Sequence, residues 1–185
     1  MTRTFTACYQ EVANRGVAPD DFLNEVIDWC RNAPDEIFER NNNNDVYSLV
    51  VDELGPFSSL LYRKAVMLEV LRVLGGFESS WNWEEGPDPT NPNSNMPCTE
   101  EAGIFQCSGD SMGFDRSLRD YVISVVGSTD CNDFQSTTKE NHRFAIEYCE
   151  RLLRFTTDHH GPLLRREVNA WLSTAAVQEF LSFIA

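Results

Sequence analysis

The chain has 185 residues and 29 acidic against 15 basic side chains, for a formal net charge of -14 and a pI near 4.5. That balance weighs heavily against nucleic-acid binding, which needs a basic face, and disfavours simple electrostatic docking on an anionic membrane or cell wall. At 42% hydrophobic, 24% charged and 11% aromatic it is too apolar for disorder, and its length suits one domain with one core. The acidity is uneven. Val73 to Asp115 holds Glu78, Glu84, Glu85, Asp88, Glu100, Glu101, Asp110 and Asp115 with no Lys, Arg or His, so -8 of the -14 falls there.

In chain order, residues 17–40 read as a helix started by Asp20 and Asp21, with Phe22, Val26, Ile27 and Cys30 at helical spacing. Asn41 to Asn44 breaks it, Tyr47 to Leu54 suggests a short helix, and Gly55-Pro56 punctuates the chain. Ser58 to Leu74 is the strongest periodic segment. Its apolar residues cover most of the circumference, which predicts a buried central helix, ended by Gly75-Gly76. Glu85 to Pro97 carries Pro87, Pro89, Pro92 and Pro97 and reads as a loop. Ala102 to Cys107 suggests a short strand or extended turn. Phe114 to Val126, Lys139 to Phe155 and Arg165 to Ile184 read as helices. The expected architecture is mainly α (α+β): residues 1–185 as one domain with a central helix and a small irregular or β lobe.

Cys8, Cys30, Cys98, Cys107, Cys131 and Cys149 permit up to three disulfides. No CxxC pair occurs, which argues against a zinc site, and no cofactor is expected. An oxidising compartment with disulfides is favoured over buried reduced thiols, with Cys98–Cys107 expected as the local bridge. Thr2 to Glu11 is polar with no apolar signal region, and no 18-residue apolar run predicts a membrane span. A secreted or exported monomer is expected, its leader removed or its route leaderless.

Glu78 carries the chemistry. It follows a nearly all-apolar helix and Gly75-Gly76-Phe77, and precedes Ser79-Ser80-Trp81-Asn82-Trp83. A carboxyl so placed is poorly solvated, which disfavours its anion and predicts a raised pKa. A carboxylic acid protonated near neutrality is what a glycosidase needs to protonate the departing glycosidic oxygen. Trp81 and Trp83 are substrate-binding candidates because flat rings match the C–H faces of sugars. Being two apart on an extended chain, one is expected in the core and one at the cleft.

Glu78-Ser79-Ser80-Trp81, followed about 25 residues later by Gly103-Ile104-Phe105-Gln106, resembles the signature of the lysozyme-like superfamily. Goose-type lysozymes and soluble lytic transglycosylases pair a Glu-Ser-Ser-aromatic turn with a Gly-Leu-Met-Gln segment. The resemblance spans Ser58 to Ser108. It implies a lysozyme-like fold, Glu78 as general acid, Ser80 and Gln106 in contact with substrate or holding Glu78, and Phe105 packed beneath the cleft. Ile104-Phe105 replaces the usual Leu-Met, and the acidic pI departs from the basic character of most cell-wall lysozymes.

Asp88 and Glu101 are the leading candidates for a second catalytic carboxylate, ahead of Asp110 and Glu100; an inverting hydrolase holds it roughly 6.5–9.5 Å from the acid. Asp88, Asn91, Asn93 and Asn95 lack EF-hand spacing and read as turn residues rather than calcium ligands. His159-His160 before Gly161-Pro162 reads as an exposed helix end, and Ser111 lacks a Gly-x-Ser-x-Gly frame. The resulting expectation is a muramidase acting on the β-1,4 bonds of peptidoglycan. The alternatives are a lytic transglycosylase, a hydrolase of chitosan or chitin, and a non-catalytic carbohydrate-binding module of the same fold.

Overall fold

The computed structural model describes residues 3–40, 44–87, 89–92 and 94–185. It is mainly α: helices hold most of the described residues, whose β structure is one two-stranded ribbon. The helix expected over 17–40 is shorter. Helix α1 runs Asp20–Cys30, with Asp20 and Asp21 in its first turn, where acidic side chains complement the helix dipole. Pro34 lacks an N–H and disfavours helical geometry in the residue before it, so only a 3-10 turn, Asp35–Phe38, follows. Two one-turn helices, α2 (Val46–Leu49) and α3 (Val51–Leu54), fill the expected short helix.

Helix α4 (Leu60–Ser79) is the axis of the molecule. The Ser59 hydroxyl oxygen accepts the Tyr62 N–H at 3.0 Å to cap it, and every residue from Ala65 to Gly76 is buried. Two of those are charged. Arg72 donates to both carboxylate oxygens of Glu69, at 2.7 and 2.8 Å, and also to the carbonyls of Gln10 and Trp171. Glu69 in turn accepts the Ser173 N–H at 2.8 Å. With its donors and acceptors paired, this ion pair ties two distant segments to the central helix.

Contrary to expectation, α4 does not stop at Gly75-Gly76. It runs through both glycines to Ser79 and ends at Ser80 and Trp81, both left-handed, with φ 54° and 62°. The glycines serve packing instead. A Cβ on Gly76 would sit 2.8 Å from Trp81 Cζ2 and 3.0 Å from Val12, because Trp81 folds back over this face.

The lobe after α4 also departs from a plain strand. Strands β1 (Glu101–Ala102) and β2 (Cys107–Ser108) pair antiparallel, Glu101 opposite Ser108 and Ala102 opposite Cys107. Gly103-Ile104-Phe105-Gln106 is therefore the hairpin loop itself. Gly103 takes φ 71° and backs onto Thr138 so closely that a Cβ would lie 2.9 Å from it.

Helix α5 (Arg116–Val126) matches its expected range. The helix expected over 139–155 is α7 (His142–Leu153), and a helix the sequence reading does not expect, α6 (Cys131–Glu140), precedes it; the side chains of Asp130 and Asn141 cap α6 and α7. The helix expected over 165–184 divides into a 3-10 turn at Glu167–Trp171 and α9 (Thr174–Ile184), which packs along α4, and a one-turn helix the sequence reading does not expect, α8 (Gly161–Leu164), precedes it. The buried apolar side chains form one cluster drawn from all these helices.

The disulfide joins Cys98 to Cys131, not to Cys107, and ties the loop ahead of β1 to the start of α6. Cys107 instead lies buried beside Cys149 of α7 and His160. Cys8, Cys30, Cys107 and Cys149 are free thiols, all buried.

Candidate active site

The last turn of α4 delivers Glu78 to the wall of a cleft of about 310 Å³. Phe77, Ser79 and Ser80 line it from the helix end, Gln106 from the hairpin, Glu85, Gly86, Pro87 and Pro89 from the following loop, and Arg15 from the N-terminal segment. The Glu78 side chain is 15% exposed, so it is largely desolvated but reachable.

Ser79 joins the two motifs. Its hydroxyl donates to the Ile104 carbonyl at 2.8 Å, and its oxygen accepts the Asn82 N–H at 3.1 Å. The Gly103 N–H donates to the Glu85 carbonyl at 2.9 Å, and Gln106 Nε2 closes the hairpin on the Gly103 carbonyl at 2.9 Å. Helix end, cleft loop and hairpin are thus one hydrogen-bonded unit around Glu78.

Of the sequence-derived candidates, Glu78, Ser80 and Gln106 share the cleft. Phe105 does not line the cleft; it is buried, edge-on to Phe22 with ring centroids 6.3 Å apart. Neither tryptophan lines the cleft. Trp81 is 5% exposed and donates its Nε1 hydrogen to the Arg72 carbonyl at 2.9 Å, which makes it a core residue. Trp83 points to the opposite side, stacked on His142 with ring centroids 3.8 Å apart and packed against Phe22. Glu101 lies in β1 and does not line the cleft, nor do Glu100 and Asp110. Asp88 and Asn93 lie outside the described residues. Asn95 turns its side chain onto the Pro92 carbonyl at 2.8 Å, as a turn residue does. Ser111 is buried and bonded to Ser108 and Tyr148, away from any nucleophilic role.

Two residues in the site escape the sequence reading. Glu85 is the second carboxylate of the cleft among the described residues, its Oε2 accepting from Asn82 Nδ2 at 2.9 Å. A carboxylate seven positions beyond Glu78 in an acidic loop is a weak signal, and the loop's fold back onto the hairpin is what selects it. The other is His160. Far from an exposed helix end, it is 1% exposed, and its Nδ1 stands 3.3 Å from Glu78 Oε1. The pair is a close contact of opposite groups rather than a hydrogen bond, and neither atom has a hydrogen-bond partner among the described residues.

Behind His160 lie Cys107 and Cys149, with Cys149 Sγ 3.9 Å from His160 Nε2. A hydrogen bond from the Cys149 thiol lowers Cys107 below its usual value, against burial and with help from His160. Burial disfavours a charged His160, yet Cys107 and Glu78 together raise it above the usual imidazole range. Burial pushes the Cys149 thiol up. No family model, curated protein or solved structure matches this chain.

Proposed function

We propose that the protein is a lysozyme-like glycoside hydrolase that cleaves the β-1,4 bonds of peptidoglycan, with Glu78 as the general acid. The observation that carries this reading is the placement of Glu78. It is a mostly desolvated carboxyl at the end of a buried helix, opening into a cleft and stitched through Ser79 to the Gly103–Gln106 hairpin. In this role Glu78 protonates the leaving oxygen while the sugar acquires oxocarbenium character. Glu85 takes the part first assigned to Asp88 or Glu101, activating water from within the same cleft. Gln106 and Ser80 contact the polymer, and Arg15 offers the cleft a cation for the carboxylates of an anionic wall. The Cys98–Cys131 disulfide accords with a secreted or exported protein.

The test is digestion of purified peptidoglycan and of chitosan by wild type, Glu78→Gln and Glu85→Gln. Glu78→Gln should lower turnover on peptidoglycan by on the order of 10²- to 10⁴-fold while the Tm and sugar binding are kept. A Glu78→Gln variant as fast as wild type would refute the assignment. Reducing-end products lost in Glu85→Gln support hydrolysis; anhydro-sugar ends, with Glu85→Gln active, would mark a transglycosylase instead. Preference for chitosan would move the substrate to a cationic polymer.

A further inference from the structure

We propose that Cys107, Cys149 and His160 form a zinc site buried directly behind Glu78. The two sulfurs and the imidazole nitrogen all lie within 4.8 Å of one another, and all three residues are buried. Tetrahedral zinc, with Zn–S about 2.3 Å and Zn–N about 2.0–2.1 Å, spaces its ligands at roughly 3.8 Å for S···S and 3.5 Å for S···N. The Cys149 Sγ to His160 Nε2 distance of 3.9 Å is therefore within about half an ångström of a liganded one. The three donors come from β2, from α7 and from the residue ahead of α8, so one ion would cross-link three chain segments. Two thiolates and an imidazole are a soft donor set that suits zinc over magnesium or calcium.

A second observation points the same way. The other nitrogen of His160 faces a carboxylate, Glu78 Oε1 at 3.3 Å. A metal-bound histidine ordinarily gives its remaining N–H to such a carboxylate, which fixes the tautomer and ring orientation. The alternative, a Cys107–Cys149 disulfide, needs the sulfurs about 2.05 Å apart, whereas both cysteines are free thiols in this structure. The absence of CxxC spacing, which argues against zinc on sequence grounds, does not bear on a site assembled from three elements. Binding releases the proton of each thiol to solvent and changes no oxidation state.

The test is metal analysis of the full chain, refolded with zinc under reducing conditions and passed through chelator-treated buffer. Wild type and the control Cys8→Ser should hold about one zinc per chain, and Cys107→Ser and Cys149→Ser at least tenfold less. Cobalt in place of zinc should give a thiolate-to-metal charge-transfer band that Cys149→Ser lacks. If the serine variants fail to fold, mercurial titration of wild-type thiols should release the zinc in step with thiol modification. Glu78→Gln should keep its zinc while losing turnover, so this inference and the glycosidase reading fail separately. Metal-free wild type without a cobalt band, zinc retained by Cys149→Ser, or a Cys107–Cys149 disulfide in peptide maps each overturns the proposal.

Discussion

Gly76 illustrates how one missing atom shapes the site. The Trp81 indole occupies the space where its Cβ would stand, and that packing holds the chain reversal immediately after Glu78. Gly76→Ala gains roughly 1 kcal/mol of helix propensity, against an overpacking cost of about 1–3 kcal/mol in a closed core. A net loss of stability is expected in urea unfolding. The loss should be smaller for Gly75→Ala, whose Cβ would lie 3.1 Å from the same ring. Glu150 poses the opposite problem. Burial holds its carboxyl well above the usual carboxylate range, Glu147 adds to this, and Lys64 and Arg151 oppose it. Both its oxygens lack hydrogen-bond partners among the described residues. A raised folded pKa means the folded state binds the proton more tightly. The stability this confers is complete below the ordinary value of 4.5 and is lost as pH rises toward the folded one. Glu150→Met should therefore raise the Tm by a few degrees at pH 7, with the gain shrinking toward pH 4; a gain independent of pH would contradict this account.

Among elements, the junction of α4 with the β1–β2 hairpin matters most. Neither is well suited to hold the geometry alone: α4 ends in two left-handed non-glycine residues, and the ribbon has two residues per strand. The Ser79 hydroxyl supplies the shared bond, donating to Ile104. Ser79→Ala leaves that buried carbonyl short of a partner, at an expected cost of about 1–3 kcal/mol. Because the bond positions rather than reacts, turnover should fall while substrate affinity changes little; steady-state kinetics beside a thermal melt separates the two. Much of this was readable from the chain. The apolar run of α4, the order of the two motifs and the helical character of the rest are local properties, set by spacing and by the residues at turns. The direction of Trp81 was not legible, because consecutive left-handed φ values at Ser80 and Trp81 carry no composition cue. The only hint was a glycine pair inside an otherwise unbroken helix.

Across the whole molecule, the acid-rich window divides. Glu78 and Glu85 line the cleft, whereas Asp115 caps α5 by accepting the Ser117 N–H, and Asp110 lies beside Phe114 and His159 at a separate hollow. The charge thus serves both site and surface, with Arg15 brought into the cleft from another segment. The Cys98–Cys131 bridge anchors this region to α6 across 33 residues. Its removal in Cys98→Ser/Cys131→Ser restores loop entropy to the unfolded chain, for an expected loss of about 3–4 kcal/mol in reversible denaturation. An unchanged midpoint would mean the loop is held by its other contacts.

Sequence by itself determined the net charge of -14, the mainly helical class and the position of Glu78 at the end of a buried helix. Each follows from composition or from neighbours within a few turns along the chain. The tertiary structure alone decided which side chains meet Glu78. His160 reaches it from ahead of α8 and Glu85 from a loop folded onto the hairpin, while Trp81 and Trp83 turn away. Such encounters depend on how helices and loops close around one core. That closure is a sum of long-range contacts, and no local pattern encodes it.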